Sequence, residues 1–520
     1  MKAFISTILF IGISFSAIAQ GKNAVQLSGR VTDAQSGQPL VGAFVTLVEV
    51  RITTVTDADG KYSFSKLPEG HATLEISFYG YKTLVEHLEL SGVTTRDFVM
   101  EPTILVNEGV TITAVGNATS LRKAPIPISR VSKTDLLLAP STNIVDALTR
   151  EPGVSQVSTG PAISKPMIRG LGFNRLVVIN DGIRQEGQQW GEEHGVEIDE
   201  NSVSRVEIVK GPASLMYGSD AMAGVINIIT TSPPPNNTIR ANVLTSYATN
   251  NKQRSLYGSI GGNHNGFNWT AWGDSKAAAD YQNKYDGHVF NSKFREGNYG
   301  GYVGYNGSWG FSHLIVSRFH QKAGIIEGAR DDEGYFLKAI AGGPEVRATK
   351  DDFNSTLPAV PYQDIQHLKM TSENSIRMGE GRLSLNLGWQ SNQRREFGNA
   401  DAPNLEDLHF DLKTFNYNAV YHFDDRSGWA TSAGLNGMQQ QNRNRADEVL
   451  IPEYSLFDVG GFVYTQRTFG KATVSGGLRY DVRNLHANEL FEGNEKRFTD
   501  IRRNFYNGSG SAGISYAASE

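Results

Sequence analysis

A short polar loop between residues 183 and 196 carries the side chains with the clearest capacity to bind a ligand. Its sequence reads Ile183-Arg-Gln-Glu-Gly-Gln-Gln-Trp-Gly-Glu-Glu-His-Gly-Val196. Trp190 offers an aromatic contact, whereas Glu192, Glu193 and His194 supply carboxylate and imidazole groups, which are hard and borderline metal ligands. An ordinary solvated polar loop has the same composition. These residues do not identify a particular metal. These four side chains are therefore candidates for contact with a ligand, and we predict no resident cofactor.

The remaining histidines do not form a comparable cluster. His71 and His87 have no partner ligands at the spacing of a zinc site. Among the histidines in the second half of the chain, none of the following shows a ligand-like spacing: His264, His313, His320 and His367. The chain has no cysteine, which excludes disulfides, thiolate metal ligands and a thiol nucleophile. Because no set of nucleophile, base and orienting group is visible, we predict that the protein is not an enzyme.

Composition narrows the class of protein further. The 520 residues include 49 Lys and Arg against 54 Asp and Glu, a net charge of −5, which gives no basic footprint for nucleic acid. The mean hydropathy of −0.34 argues against several membrane-spanning helices. It leaves a membrane β-barrel open, since strands with alternating polarity dilute the hydropathy signal.

Residues 1–19 have the pattern of a secretory signal peptide. Lys2 gives a positive start, the stretch from Phe4 to Phe15 is mostly apolar, and Ala17-Ile18-Ala19 is a small-x-small cleavage site. The apolar stretch is too short to cross a bilayer comfortably. We therefore expect an exported protein.

Residues 26–100 alternate short β-type runs with turn signals, which predicts a small β-sandwich. The motifs resemble the carboxypeptidase regulatory-like domain: Gly29-Arg-Val-Thr-Asp33, Pro39-Leu-Val-Gly-Ala43, Thr56-Asp-Ala-Asp-Gly60, Gly70 and Gly80-Tyr81. Zinc ligands for a peptidase are missing from these residues, so we do not expect an enzymatic role. Binding a partner, transmitting a signal and acting as a spacer all stay open.

Residues 101–117 read as a linker that contains one extended, β-branched segment. Such a segment can add as a strand to the exposed sheet edge of a partner protein. An ordinary edge strand or interdomain linker would have the same composition. The segment consists of Glu108, Gly109, Val110, Thr111, Ile112, Thr113 and Ala114.

Residues 118–232 predict an α+β unit. A helix over 143–150, capped by Ser141, has Ile144, Ala147 and Leu148 on one face. Leu176–Asn180 reads as a buried strand that ends in the hairpin turn Asp181-Gly182. Two more strands follow near 206–210 and 224–230 before the three prolines at 233–235.

The order of motifs in this unit resembles the plug domain of the TonB-dependent outer-membrane receptors. Three motifs carry the resemblance: Asp146-Ala-Leu-Thr-Arg-Glu-Pro-Gly-Val154, Ile168-Arg-Gly-Leu-Gly172 continuing to Val178-Ile-Asn-Asp-Gly182, and Val206-Glu-Ile-Val-Lys-Gly-Pro-Ala-Ser-Leu-Met-Tyr-Gly-Ser219 with Gly224-Val-Ile-Asn227. The resemblance implies that 108–114 is the TonB box, although Gly109 and Ile112 depart from the usual run of valines.

Two groups of plug residues are predicted to hold the plug and let it shift. The charged group is expected to pair internally or with the barrel wall: Arg169, Arg175, Asp181, Glu207 and Lys210. The glycines are expected to serve tight turns and close packing: Gly170, Gly182, Gly211, Gly218 and Gly224.

Residues 238–520 change to a period of two. Leu383, Leu385, Leu387 and Trp389 alternate with polar neighbours, and runs near 415–423 and 472–481 do the same. Runs of about ten residues separated by long polar stretches are typical of a transmembrane β-barrel, although a soluble antiparallel sheet also alternates. About 280 residues suffice for roughly 12–14 strands, fewer than the 22 of plugged transporters, so we expect a truncated barrel that stops at Glu520.

The expected fold is mainly β: a signal peptide (1–19), a β-sandwich (26–100), a linker with the TonB box (101–117), an α+β plug (118–232) and a partial transmembrane antiparallel β-barrel (238–520). The implied function is energised uptake of a scarce metal complex such as a ferric siderophore, haem, cobalamin or a transition metal. Its implied partners are TonB, outer-membrane lipid and an extracellular ligand. A glycan or peptide importer with a surface lipoprotein is one alternative, and a non-transporting exported β-protein is another.

Overall fold

The computed structural model describes residues 25–103, 111–112, 119–120, 127–138, 141–187, 191, 194–210, 214–230, 233–424 and 428–518. The predicted signal peptide and five of the seven predicted box residues lie outside these ranges. Within the described residues, no helix is both long enough and apolar enough to cross a membrane.

The first strands form a β-sandwich, called here the N-terminal sandwich. Its strands are β1 Val25–Asp33, β2 Phe44–Leu47, β3 Ile52–Val55, β4 Lys61–Leu67, β5 Gly70–Ser77, β6 Leu84–Leu90, β7 Val93–Thr95 and β8 Phe98–Met100. One sheet has the order β4-β1-β7 with β8 also on β1, and the other has the order β3-β2-β5-β6. Alternate residues such as Leu27, Val31, Val45 and Ile76 are buried between the sheets and form the core.

The next unit, residues 127–230, is called here the plug segment. Its strands are β11 Ile128–Ser132, β12 Val154–Gly160, β13 Ile163–Ile168, β14 Leu171–Gly172, β15 Leu176–Asn180, β16 Ile183–Arg184, β17 Arg205–Lys210 and β18 Gly224–Ile229. Before it, β9 Thr111–Ile112 and β10 Thr119–Ser120 pair antiparallel. The plug strands form a five-stranded sheet in the order β11-β17-β18-β15-β16 and a three-stranded sheet in the order β12-β13-β14.

The plug helices are short: α1 Lys133–Leu138, α2 Ile144–Leu148 and α3 Ser214–Tyr217. Helix α2 is shorter than the predicted 143–150 because Asn143 is its N-cap and not its first residue. The Asn143 side chain accepts a hydrogen bond from the Asp146 backbone N–H at 3.0 Å. The prediction that Ser141 caps this helix was therefore wrong.

The remainder of the chain builds one large antiparallel sheet, called here the barrel sheet. Its twelve strands are β19 Thr238–Ala248, β20 Gln253–His264, β21 Phe267–Ala278, β24 Phe294–Gly307, β25 Gly310–Gly324, β28 Tyr362–Met378, β29 Gly381–Phe397, β30 Leu408–His422, β31 Trp429–Asn444, β32 Tyr454–Phe469, β33 Ala472–Ala487 and β36 Ile501–Tyr516. Each strand pairs with its neighbour in chain order. The loops add α4 Lys350–Asn354 and three small hairpins: β22 Gln282–Asn283 with β23 Gly287–His288, β26 Leu337–Lys338 with β27 Val346–Arg347, and β34 Leu490–Glu492 with β35 Glu495–Phe498.

The two faces of the barrel sheet have opposite polarity, and the polar face is the buried one. On β29, Gln390, Asn392 and Arg394 are at most 2% exposed. On the other face, Val463 and Leu478 are 51% and 74% exposed. A soluble sheet would bury its apolar face, whereas a membrane barrel turns it towards lipid. The alternation therefore belongs to a membrane barrel.

The two ends of the barrel sheet also differ. At one end, called the short-turn end, strands are joined by turns such as 265–266, 308–309, 379–380 and 470–471. At the other, called the long-loop end, the connections 279–293, 325–361, 398–407 and 488–500 are much longer. This asymmetry defines a direction along the molecule, against which the plug segment and the N-terminal sandwich can be placed.

Candidate functional site

The plug segment climbs along strand β29 from the short-turn end to the long-loop end. The side chain of Asn386 donates to the Gly182 carbonyl at 3.4 Å. Further along, Gln390 donates to the Arg184 carbonyl at 2.7 Å. Near the end of the strand, His194 Nε2 lies 3.5 Å from a carboxylate oxygen of Glu396. The described residues from 182 to 194 therefore run from the short-turn end to the long-loop end.

Of the four predicted ligand-facing residues, the structure describes His194. Its side chain is completely buried, and its ring packs edge-on against Phe410 with 6.0 Å between the ring centroids. Trp190, Glu192 and Glu193 lie outside the described residues. Among the described residues, His, Asp and Glu side chains do not gather in threes as a metal site. Contact of this loop with a ligand remains a prediction.

The strongest contact between the plug segment and the barrel sheet surrounds Glu197, which sequence reasoning missed. Arg394 donates to one Glu197 oxygen at 2.8 Å, and His367 Nδ1 lies 2.8 Å from the other, to which Asn392 also donates. The side chains of Glu197 and His367 are 3% exposed and that of Arg394 is not exposed at all. Glu197 and Arg394 are 197 positions apart, so their contact left no local signal.

A second contact is built around Lys276 on β21. Its ammonium group lies 2.5 Å from plug residue Glu200 and 3.3 Å from wall residue Glu296. Two further carboxylates, Asp199 and Asp274, are buried next to it. Burial, reinforced by the neighbouring Asp274, raises the pKa of Asp199 well above its usual range. This contact therefore holds more carboxylates than cations.

A third contact joins the plug to strands β32 and β33. Asp220 lies 2.7 Å from Arg184 of the plug and 2.8 Å from Arg483 of the wall, and Arg483 also reaches Asp458 at 2.7 Å. Burial alone would raise the pKa of Asp220. The two guanidinium groups outweigh burial and hold the pKa below its usual range. The plug is thus fixed to both halves of the barrel sheet.

The five predicted plug charges have different surroundings. Asp181 is buried, accepts bonds from the Thr230 backbone N–H and hydroxyl at 2.8 and 2.7 Å, and lies 3.5 Å from Lys369 on the wall. Arg169 and Arg175, in contrast, are exposed to solvent.

The remaining two charges have partners within the plug segment. Glu207 is fully buried and accepts a bond from Arg205 at 3.1 Å. Lys210 donates to Ser129 and to the Pro152 carbonyl, both at 2.7 Å, and desolvation lowers its pKa. A role of these charges in plug movement remains a prediction.

The predicted plug glycines occupy backbone conformations that suit glycine. Gly170, Gly182, Gly218 and Gly224 all have positive φ, between 79° and 144°. At Gly224, a Cβ would also collide with the Val209 carbonyl on the paired strand. Gly211 lies outside the described residues.

The predicted TonB box is described at two positions only. Thr111 and Ile112 form β9, which pairs antiparallel with β10. Glu108, Gly109, Val110, Thr113 and Ala114 lie outside the described residues. The box assignment therefore remains a prediction.

Comparison with known protein families gives two matches. Residues 120–225 match the TonB-dependent Receptor Plug Domain, and residues 27–112 match the CarboxypepD_reg-like domain. Among curated proteins, an iron-regulated outer membrane virulence protein of Vibrio cholerae is 38% identical over 131 residues, 24% of this chain and 20% of that protein. The vitamin B12 transporter of Vibrio vulnificus is 30% identical over 153 residues, 29% of this chain and 25% of that protein. The matched regions thus span a fifth to a quarter of these relatives.

Solved structures show the same architecture. The copper transporter OprC has a TM-score of 0.60 at 14% identity, and the match covers 75% of this chain and 61% of that one. At that identity the likeness concerns the fold. The two family matches and the curated relatives support a TonB-dependent receptor with an N-terminal carboxypeptidase regulatory-like domain. Its place is the outer membrane, and its family consists of transporters and receptors.

Proposed function

We propose that this receptor takes up a scarce metal complex across the outer membrane in an energised step. The observation that carries the proposal is the plug segment seated on the polar face of the barrel sheet by three ionic contacts, of which those around Glu197 and Lys276 are buried. A plug held in this way blocks passive flow, so a ligand bound outside can be released inwards only when work is done on the plug.

In this proposal, the energy for uptake is supplied by a mechanical force on the receptor. The outer membrane has no ATP supply and sustains no ion gradient, so a periplasmic segment must be pulled by a protein anchored in the inner membrane. Strand addition suits this task because it grips the backbone of an extended segment. We propose that TonB is the pulling protein and that it binds the predicted box, residues 108–114.

The class of ligand is inferred from the relatives. The names of those reported above refer to iron regulation, vitamin B12 and copper. A metal complex is the common element, and Trp190, Glu192, Glu193 and His194 are the residues we propose to face it. The uptake is transport, and we propose no catalytic step and no resident cofactor.

The test uses the full-length gene in cells limited for iron, zinc, copper or cobalamin. We expect uptake of one nutrient to be lost when residues 107–114 are replaced by eight glycines and serines, which keeps the linker length. Surface binding of that nutrient should persist, because the replacement leaves the long-loop end unchanged.

A matched control replaces residues 34–37, an exposed turn of the N-terminal sandwich, with glycines and serines and should transport normally. Unchanged uptake of every nutrient after the box replacement would contradict the proposal. Growth dependence on a glycan or peptide instead would support an importer of that class.

A further inference from the structure

The turn between β2 and β3 of the N-terminal sandwich, residues 48–51, inserts into the short-turn end of the barrel sheet. At its tip, Arg51 forms a bidentate pair with Glu373 on β28, with distances of 2.7 and 2.6 Å. The guanidinium group also lies 4.4 Å from the centroid of the Phe311 ring. Bidentate pairing fixes both the position and the orientation of the arginine.

The backbone of the turn is recognised as well. Asn306 on β24 donates to the carbonyls of Val50 and Arg51 at 2.8 and 3.1 Å. The Asn306 amide is itself oriented by His313, whose Nε2 lies 2.8 Å from the amide oxygen. Ser375 adds a contact of 3.5 Å to the Glu49 carbonyl. The barrel sheet thus presents a set of polar groups that fits this turn.

The inserted turn borders a cavity of about 190 Å³ on the polar face of the barrel sheet. The cavity lies between Arg51 on one side and the plug turn Asp181-Gly182 on the other. Wall residues Glu373, Asn386 and His422 complete its lining. The turn therefore covers the short-turn side of a space that the plug covers from the other side.

We infer that the 48–51 turn is a second closure of the receptor, which narrows the short-turn end and withdraws before a ligand leaves. The inference rests on the proposed function. It also gives the N-terminal sandwich a task beyond spacing the box: the sandwich is fixed to the wall, and the box lies between it and the plug. A force that pulls on the box therefore acts both on the contacts of this turn and on the contacts of the plug.

The exposure of the side chains indicates whether the contact of the turn or the contact of the plug opens first. The Arg51 and Glu373 side chains are 25% and 11% exposed, so water can replace their contact as it opens. The plug contact of Arg394 and Glu197 is almost fully buried, so water cannot replace it as it opens. We therefore expect the turn to withdraw while the plug is still seated.

The first experiment measures access to the wall beneath the turn and needs no ligand. The chain has no native cysteine, so Ser375→Cys, which is 1% exposed, gives a single reporter. In outer-membrane vesicles made permeable to reagents, we expect a polar maleimide to label this cysteine at least tenfold faster when Arg51→Ala is added.

Arg96→Ala is the matched control, since Arg96 is an exposed arginine of the same sandwich. It should label at the rate of the reporter alone. Equal labelling rates in the Arg51→Ala and Arg96→Ala receptors would overturn the inference. Labelling of Arg51→Lys should be intermediate, because lysine keeps the charge and loses the bidentate geometry.

The second experiment locks the closure. Glu49→Cys and Ser375→Cys are joined with a short reducible bifunctional thiol reagent, and uptake is measured with ferric citrate, haemin, cyanocobalamin and Cu²⁺ as probes. We expect uptake of the transported probe to fall at least tenfold, surface binding to remain, and a reductant to restore uptake. Ser375→Cys alone, treated alike, should transport.

Failure of this inference can be separated from failure of the proposed function by the box replacement. If the replacement abolishes uptake and the locked receptor still transports, the turn is not a closure. If neither change affects uptake of any probe, the proposed function itself has failed.

Discussion

The two ends of the receptor hold their partners in different ways. Near the long-loop end, Glu197 joins the plug to the wall through side chains that are at most 3% exposed. At the short-turn end, Arg51 joins the N-terminal sandwich to the wall through a pair that is 25% and 11% exposed. Both contacts use an arginine and a glutamate at nearly the same distance.

The comparison shows that burial, more than distance, decides how easily such a contact opens. Separating Glu197 from Arg394 leaves a buried charge without a partner, and this costs far more than the pair gained on forming. Separating Arg51 from Glu373 lets water hydrate both groups. The same chemistry therefore provides a firm attachment at one end and a releasable one at the other.

Removal of the buried carboxylate should have the largest effect. Glu197→Ala leaves Arg394 and His367 buried without it, so we expect the free energy of unfolding to fall by about 3–5 kcal/mol. The measurement is urea unfolding of the receptor in lipid vesicles. Glu345→Ala, at an exposed loop position, is the control and should change the value by less than about 0.5 kcal/mol. Equal values for the two variants would show that the buried network does not hold the plug.

A glycine pair separates backbone strain from contact with the wall. Gly170 and Gly182 have φ values of 80° and 79°, but only at Gly182 would an added Cβ meet a described residue, the Asn386 amide. Substitution by alanine should cost about 1–2 kcal/mol at Gly170 through strain alone. Gly182→Ala should cost about 1 kcal/mol more, because Asn386 must move and lose its bond to the Gly182 carbonyl. The same unfolding measurement applies, and equal losses would argue against close packing of this turn on the wall.

The short-turn contact should be worth little in global stability. In a double-mutant cycle of Arg51→Ala and Glu373→Ala, we expect a coupling of about 1 kcal/mol or less, since Arg51 is partly exposed and Glu373 borders the cavity. High salt should reduce it further. A coupling as large as the loss in Glu197→Ala would erase the difference between the two ends.

One substitution is expected to raise the free energy of unfolding instead of lowering it. Asp199→Asn keeps the oxygen that accepts the Asn201 backbone N–H at 3.0 Å and removes a buried charge from the Lys276 contact. Because burial raises the pKa of Asp199, its charged form is disfavoured in the folded state. The substitution should raise stability by about 1 kcal/mol at alkaline pH. The gain should vanish at low pH, where the carboxyl is protonated in the folded and unfolded states. A gain independent of pH would contradict this explanation.

Local patterns predicted much of the fold. Strands such as Leu176–Asn180 and Val206–Lys210 follow from apolar runs bounded by turn residues, and the plug motifs were recognised in their correct order. The period of two predicted the large sheet, and the length of the segment predicted 12–14 strands, a range that includes the twelve observed. The cap of helix α2 was placed wrongly because Ser141 and Asn143 are both good N-caps, and sequence alone does not choose between them.

The contacts between units could not be predicted in this way. Glu197 and Arg394 are 197 positions apart, and Arg51 and Glu373 are 322 positions apart. No local period links such residues. What the sequence does offer is a weaker signal: charged residues on the inward face of a barrel strand need partners, and Arg394 and Glu373 both lie at inward positions of their strands.

Energised uptake of a metal complex can be tested in intact cells by measuring surface binding and accumulation of a probe separately. Cells that produce the full-length receptor would be given radiolabelled ferric citrate, haemin, cyanocobalamin and Cu²⁺, with and without a protonophore that removes the inner-membrane proton gradient. We expect one probe to bind equally in both conditions and to accumulate only when the gradient is present. Accumulation that persists without the gradient, or binding of none of the four probes, would contradict it.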